Sequence, residues 1–359
     1  MIKGMNKNFI IGALGCVLLG ALASVGLYYV SQQHKGVQLG QTKLVGTLYL
    51  TLNPVAHPSD INIHTFNLAN RTLAPLLANG RINITPGLSA SGNKLVYMSR
   101  GKNENAFQIY GMTTDKQAFF QMTEDANQFK REPVWSSDDM HVAYSVQTAS
   151  AASASSLQLP NSWLVFITNL AKEAKLAGLG ANPFFSPDGK VLYALQNDGI
   201  HGVSVASLYP APTKSKTATA TQSATFGPLL VPTIAGTVAT NEQQATSTAG
   251  ALKNMKISVS PDGKRLAWSV PTRGFVRIFA VTSWAPLTLA PEKDLPVTAL
   301  FSTFSPNSQY LALEQVVLDA NKQFVNPKIV IYSSVDWEKV EALDLSAYTT
   351  KYLWLSAWR

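Results

Sequence analysis

FSPDGKVLYAL, from Phe185 to Leu195, reads as two strands joined by a tight turn. Phe185 and Ser186 end the first strand. Pro187 presets φ at the first corner, Asp188 suits the second, and Gly189 accepts the positive φ that closes the turn. In the second strand Val191, Tyr193 and Leu195 alternate with Leu192 and Ala194, so both faces are apolar. A strand of that kind is sandwiched between sheets rather than laid over one core. The stretch therefore predicts an inner strand of a stacked-sheet protein.

The pattern recurs. LSASGNKLVYMS runs from Leu88, WSSDDMHVAYSV from Trp135, VSPDGKRLAWSV from Val259 and FSPNSQYLALEQ from Phe304. Aligned on the serine, the copies fall at Ser89, Ser136, Ser186, Ser260 and Ser305, at intervals of 47, 50, 74 and 45 residues. Strand-type units repeating every 45–50 residues predict a β-propeller, with one four-stranded blade per unit. The long interval holds one blade plus an insertion. From Ala206 to Leu252 the chain is rich in Thr, Ala, Ser and Gln, and only Lys214, Lys216 and Glu242 are charged. It reads as a long, poorly ordered surface loop in which Phe226 to Ile234 is a candidate blade strand. A smaller insertion, Thr148 to Asn161, interrupts the third blade.

The two ends of the repeat region predict closure. Tyr352 to Trp358 resembles the run-up to a further motif, with Ser356 placed 51 residues after Ser305. Gly46 to Leu52, GTLYLTL, resembles the strand that follows such a motif. The C-terminal strand would supply the inner strand of the first blade and residues 46–80 its other three, making six blades. Closure of this kind removes free sheet edges.

Ser-Pro-Asp-Gly-Lys followed by an apolar strand, repeated at this spacing, resembles the WD40-like (PD40) repeat of TolB-type six-bladed propellers. Ser186–Lys190 and Ser260–Lys264 match that pattern fully, and the copies at Ser89, Ser136 and Ser305 match it loosely. The resemblance covers residues 46–359. It implies a periplasmic propeller that works by binding other envelope proteins. TolB proteins carry a small α/β domain before the propeller, and the 15 residues from Ser31 to Val45 leave no room for one. That departure sets a role in the Tol–Pal system in doubt. Related propellers also accompany prolyl oligopeptidase-type hydrolase domains, but no hydrolase domain follows and no G-x-S-x-G nucleophile elbow is present.

Phe9 to Val30 is 22 residues without a charge, preceded by Lys3 and Lys7. That length crosses a bilayer as a helix, and the positive-inside rule keeps residues 1–8 in the cytoplasm. The expected organisation is thus a transmembrane anchor at 9–30, a linker at 31–45 and an exported propeller at 46–359. Two alternatives stand beside the anchor: a signal peptide cleaved near Ala21-Leu22-Ala23, and lipidation of Cys16 after a weak lipobox. Cys16 is the only cysteine, so the exported part has no disulfide and no thiolate nucleophile. Only 14% of residues are charged, and the formal charge of +8 is scattered without a basic run. This composition argues against nucleic acid and allows contact with anionic surface polymers.

Chemistry is sparse. His57, Asp60 and His64 could meet around a metal only if a turn at Pro58–Asp60 brought them together; surface histidines are the simpler expectation. Asp188-Gly189 and Asp262-Gly263 are adjacent, unlike the spaced pair of a sialidase Asp-box. Glu124-Asp125 and Asp138-Asp139 fall in expected turns. A glycosidase pair assembled across blades stays open. Most tryptophans fall on expected strands and read as packing between blades. Trp337, amid charges, is expected to be partly exposed and is a candidate partner surface. No catalytic, cofactor-binding or metal residue is assigned, and no cofactor or enzyme activity is expected. The preferred reading is a protein–protein interaction or scaffolding module of the bacterial cell envelope, partnered by an envelope or membrane protein. The alternative is a binder of small ligands, glycans or peptides, or a hydrolase, using the propeller channel. A weaker reading is a sensor whose helix contacts a membrane partner through Gly12, Gly15 and Gly20.

Overall fold

Each motif copy pairs the strand before its serine with an apolar strand after the turn, and the structure builds one sheet around each pair. The computed structural model describes residues 44–56, 60–125, 128–147, 163–196, 199–209, 257–270, 274–316 and 328–359. The expected anchor at 9–30, residues 31–43 of the expected linker at 31–45, the insertion Thr148–Asn161, and Phe226–Ile234 all lie outside the described residues. Among the described residues no helix is long and apolar enough to cross a membrane. The propeller is the unit Gly46–Arg359.

Chain order runs blade by blade. The first blade contains β1 (Thr47–Pro54), β2 (Asn62–Asn67) and β3 (Thr72–Pro75). The second has β4 (Ile82–Leu88), β5 (Lys94–Arg100), β6 (Gln108–Thr113) and β7 (Phe119–Gln121). The third has β8 (Lys130–Trp135), β9 (His141–Gln147), β10 (Trp163–Asn169) and β11 (Ala174–Leu179). The fourth has β12 (Ala181–Phe185), β13 (Val191–Gln196) and β14 (Gly199–Ser204), followed by a helical turn, α1 (Val205–Leu208). The fifth has β15 (Ile257–Val259), β16 (Arg265–Val270), β17 (Phe275–Trp284) and β18 (Leu287–Leu295). The sixth has β19 (Ala299–Phe304), β20 (Tyr310–Gln315), β21 (Lys328–Ser333) and β22 (Lys339–Asp344). The last strand, β23 (Thr349–Trp358), returns to pair antiparallel with β1, so the first sheet runs β23-β1-β2-β3.

Six sheets and closure by the C-terminal strand match the expectation from the repeat. One detail differs. The Arg359 N–H donates to the Thr47 carbonyl, as the Ser186 N–H does to the Val191 carbonyl in the fourth blade. The residue in the place of the motif serine is therefore Arg359, three positions beyond Ser356.

The second strand of each blade is the sandwiched one. Leu95, Val96, Ala143, Leu192, Ala194, Leu266, Leu311 and Leu313 are fully buried between neighbouring sheets. Aromatic side chains fill the wedges between blades. Tyr193 stacks on Phe184, and its hydroxyl donates to the Trp284 carbonyl of the next blade. Trp135, Trp163, Trp268 and Trp358 are buried on their strands, as their positions predict.

Trp337 is a correction. It lies in the turn between β21 and β22 and is only 8% exposed. Its Nε1 donates to Glu292 of the fifth blade at 2.9 Å, and Arg265 sits 5.4 Å from its ring centroid. Its charged sequence neighbours predicted exposure, but Arg265 and Glu292 of the adjacent blade cover the ring.

Candidate functional site

The inner strands β4, β8, β12, β15, β19 and β23 surround a central cavity of about 1090 Å³. At one end the motif turns close it into a ring. In the fourth blade Gly189 has φ +70° and its N–H returns to the Ser186 carbonyl at 2.8 Å. The Ser186 hydroxyl donates to Asp188 at 2.6 Å and accepts from the Val191 N–H at 3.0 Å, so serine clamps both sides of the turn. Ser260 with Asp262 and Ser305 with Asn307 repeat the clamp. The Ser186 hydroxyl holds the Asp188 carboxyl below its ordinary range, assisted by the Lys190 N–H and charge. At Asp262 burial acts in the opposite direction, but the Ser260 hydroxyl and Lys264 N–H outweigh it.

The turns also hold one another. Asp139 accepts the N–H groups of Ala90 and Ser91 from the second blade. A Cβ on Gly189 would lie 2.7 Å from Ser137 Oγ, and one on Gly263 2.5 Å from Pro187 Cγ, so these glycines allow adjacent turns to touch. The Asp262 N–H donates to Ser308 at 3.0 Å. Tyr310 stacks on Trp358, and the Arg359 guanidinium donates to the Gly92 carbonyl, completing the circle.

Farther from the turns, the inner strands bulge. The register slips at Ile84/Gly87, Arg131/Val134 and Ala181/Phe184. Thr85, Glu132 and Asn182 sit there with φ of +50°, +57° and +50°, each followed by a proline. Proline has no N–H to donate, so it fits where the ladder is interrupted. The displaced N–H groups turn to the preceding blade. Thr85 N–H donates to Thr51 Oγ1 at 3.0 Å, Asn182 N–H to Glu132 Oε2 at 2.8 Å, and Leu355 N–H to Glu314 Oε2 at 3.2 Å.

Arg131, five residues before its motif serine, lies in the wall at the end away from the turns. Its guanidinium carbon is 3.7 Å from the Trp163 ring centroid and its Nε is 3.2 Å from Glu132 Oε1. The Arg131 side chain is only 13% exposed, and burial pulls its pKa down from the ordinary arginine value. Phe129 packs edge-on to Trp163, and Phe301 and Trp354 pack together elsewhere in the wall. Among the described lining residues the only charged side chains are Arg131, Glu132 and Arg359; the rest are mainly serine, proline, aliphatic and aromatic. The sequence signal for this site is the x-Pro step before each serine, in TPGLS, EPVWS and NPFFS, with an arginine preceding it only in the third blade.

The other candidates do not converge. His57 lies outside the described residues. His64 is buried rather than on the surface, with Nδ1 3.2 Å from the Asn62 carbonyl, and burial lowers its pKa. Among the described residues no group of three or more His, Cys, Asp or Glu side chains could hold a metal. Glu124 pairs with Lys172 at 2.6 Å, and Asp138 and Asp139 are consumed by turn contacts.

No family model matches the chain, and no curated protein does. Solved structures do. TolB from Acinetobacter baumannii superposes with a TM-score of 0.58 at 14% identity, covering 87% of this chain and 66% of that one. A chain of a nidogen/laminin complex gives a TM-score of 0.52 at 9% identity, covering 87% of this chain and 98% of that one. A periplasmic gluconolactonase from Pseudomonas aeruginosa reaches a TM-score of only 0.44 at 13% identity, over 86% of this chain and 99% of that one, too distant to carry an argument. At these identities the likeness is one of fold, and at that level the resemblance to TolB-type propellers holds.

Proposed function

We propose that this chain is an interaction or scaffolding module of the bacterial cell envelope, tethered to the cytoplasmic membrane by residues 9–30 with its propeller on the outer side. The propeller binds an envelope protein at the end of the channel that carries Arg131, Trp163 and Phe301. The observation that carries this reading is the channel wall. It offers serine, proline and aromatic surface with a single arginine–glutamate pair, and Arg359 among the turns, which suits a chain partner more than bond-breaking chemistry. A rigid ring of blades limits the ordering cost of binding. The net charge of +8 adds weak attraction to anionic surface polymers. The alternative, a small-ligand binder or hydrolase, has the cavity volume in its favour but no acid–base pair facing that volume among the described residues.

Site-specific photocrosslinking tests the proposal. A photoreactive residue at Gln147 or Phe301 in the full-length membrane protein should capture one dominant envelope protein, and one at Val340 on the outermost strand should not. Equal capture from Val340, or none from the channel positions, would count against this reading and move weight to a small ligand.

A further inference from the structure

Arg131 is not explained by the fold. Counting five residues back from the motif serine, or from Arg359 in the first blade, the other described blades carry Ile84, Ala181, Leu300 and Trp354. The propeller is satisfied by an apolar side chain there, and a buried cation costs stability unless it is compensated. Compensation is incomplete. Glu132 meets Arg131 through Oε1, while its Oε2 is occupied by the Asn182 N–H at 2.8 Å and Ser145 Oγ at 3.2 Å. The Arg131 Nε is buried without a hydrogen bond, and no hydrogen bond from a described residue holds the two terminal nitrogens. Trp163 fixes the plane of the guanidinium by stacking. The result is a rigid, planar donor fork lining the cavity with its hydrogen-bonding capacity unspent.

We propose that this fork binds a carboxylate, supplied by an acidic side chain of an extended partner segment lying in the channel. A planar two-oxygen anion matches guanidinium geometry. One arginine beside one glutamate suits a monoanion; a phosphate dianion calls for more cations than this end provides, because Arg359 lies among the turns at the other end, on the Gly92 carbonyl. The prolines and aromatic rings along the wall, Pro86, Pro133, Pro183, Phe301 and Trp354, suit an extended apolar chain better than a hydroxyl-rich sugar. The inference rests on the interaction reading above and names the chemistry its partner must present.

The test uses the full-length protein in detergent and two pools of random decapeptides, identical except for Glu or Gln at a fixed central position. The Glu pool should be retained about tenfold more strongly by the wild type, a difference on the order of 1.4 kcal/mol. Arg131→Gln should reduce that preference to less than about twofold, as should Arg131→Gln combined with Glu132→Gln. The double variant guards against misfolding caused by an unpaired Glu132. Equal retention of both pools by the wild type, or a Glu preference that survives in both variants, would overturn the carboxylate site. If Phe301 still crosslinks to an envelope protein in that case, the interaction reading stands alone. Loss of crosslinking with the Glu preference intact would instead remove the protein partner and keep the anion site.

Discussion

At one end of the channel Ser186, Asp188 and Gly189 close on one another and on the next turn; at the other, Arg131 lies on Trp163 with part of its donor fork unused. The first end contains the residues that recur in the sequence. The second contains a residue that occurs in one blade only. Repetition marks what every blade requires, which is a tight turn and a neighbour to touch. The proposed binding group sits where the repeat is broken. The same contrast explains why Asp188 and Asp262, the most conspicuous carboxylates of the motif, are poor candidates for chemistry: serine hydroxyls and backbone N–H groups hold both in place.

The largest effect should come from opening the ring. Removing residues 349–359 deletes β23 and exposes the buried faces of β1 and β4. Cooperative thermal unfolding should be lost, as read by calorimetry; a sharp transition in the truncated chain would mean that the ring closes without its last strand. Next comes contact between turns. Gly263→Val places a branched side chain at φ +69° and against Pro187, and should cost about 2–4 kcal/mol in urea unfolding. Ser186→Ala keeps the turn but removes the clamp, for about 1–2 kcal/mol. Trp163→Leu at the opposite end should abolish the Glu over Gln preference while altering the unfolding midpoint less than Gly263→Val does. The reverse ranking would erase the distinction between the two ends.

The smallest effect concerns acid. The carboxyls of Asp188 and Asp262 titrate below their ordinary value of 3.8 in the folded chain. Their contribution to stability is therefore complete above about pH 5 and is lost as the pH falls through the lower folded values. Asp188→Asn with Asp262→Asn should flatten the decline of the melting temperature between about pH 5 and pH 2.5. An unchanged slope would place the acid sensitivity elsewhere.

Much of the fold was legible because it rests on local chemistry. Pro187, Asp188 and Gly189 specify a turn from their own φ preferences, and the alternation after Val191 specifies a doubly buried strand. The closing strand was legible from its likeness to the other inner strands, yet its register was not. Ser356 reads as the motif serine, and only pairing with Thr47 puts Arg359 in that place. Trp337 was misread for a related reason. The charges that cover it, Arg265 and Glu292, are distant in the chain and belong to another blade. His64 likewise reads as a surface residue until the neighbouring strands are packed over it.

The division follows from range. Turn type, strand alternation and blade period depend on residues a few positions apart, so the linear order of the chain determined the propeller and its six blades. The ring of touching turns, the burial of Trp337 and the stacking of Arg131 on Trp163 depend on side chains brought together from different strands and blades. Those contacts exist only after the blades pack, because packing alone decides which side chains lose their water and which partners replace it.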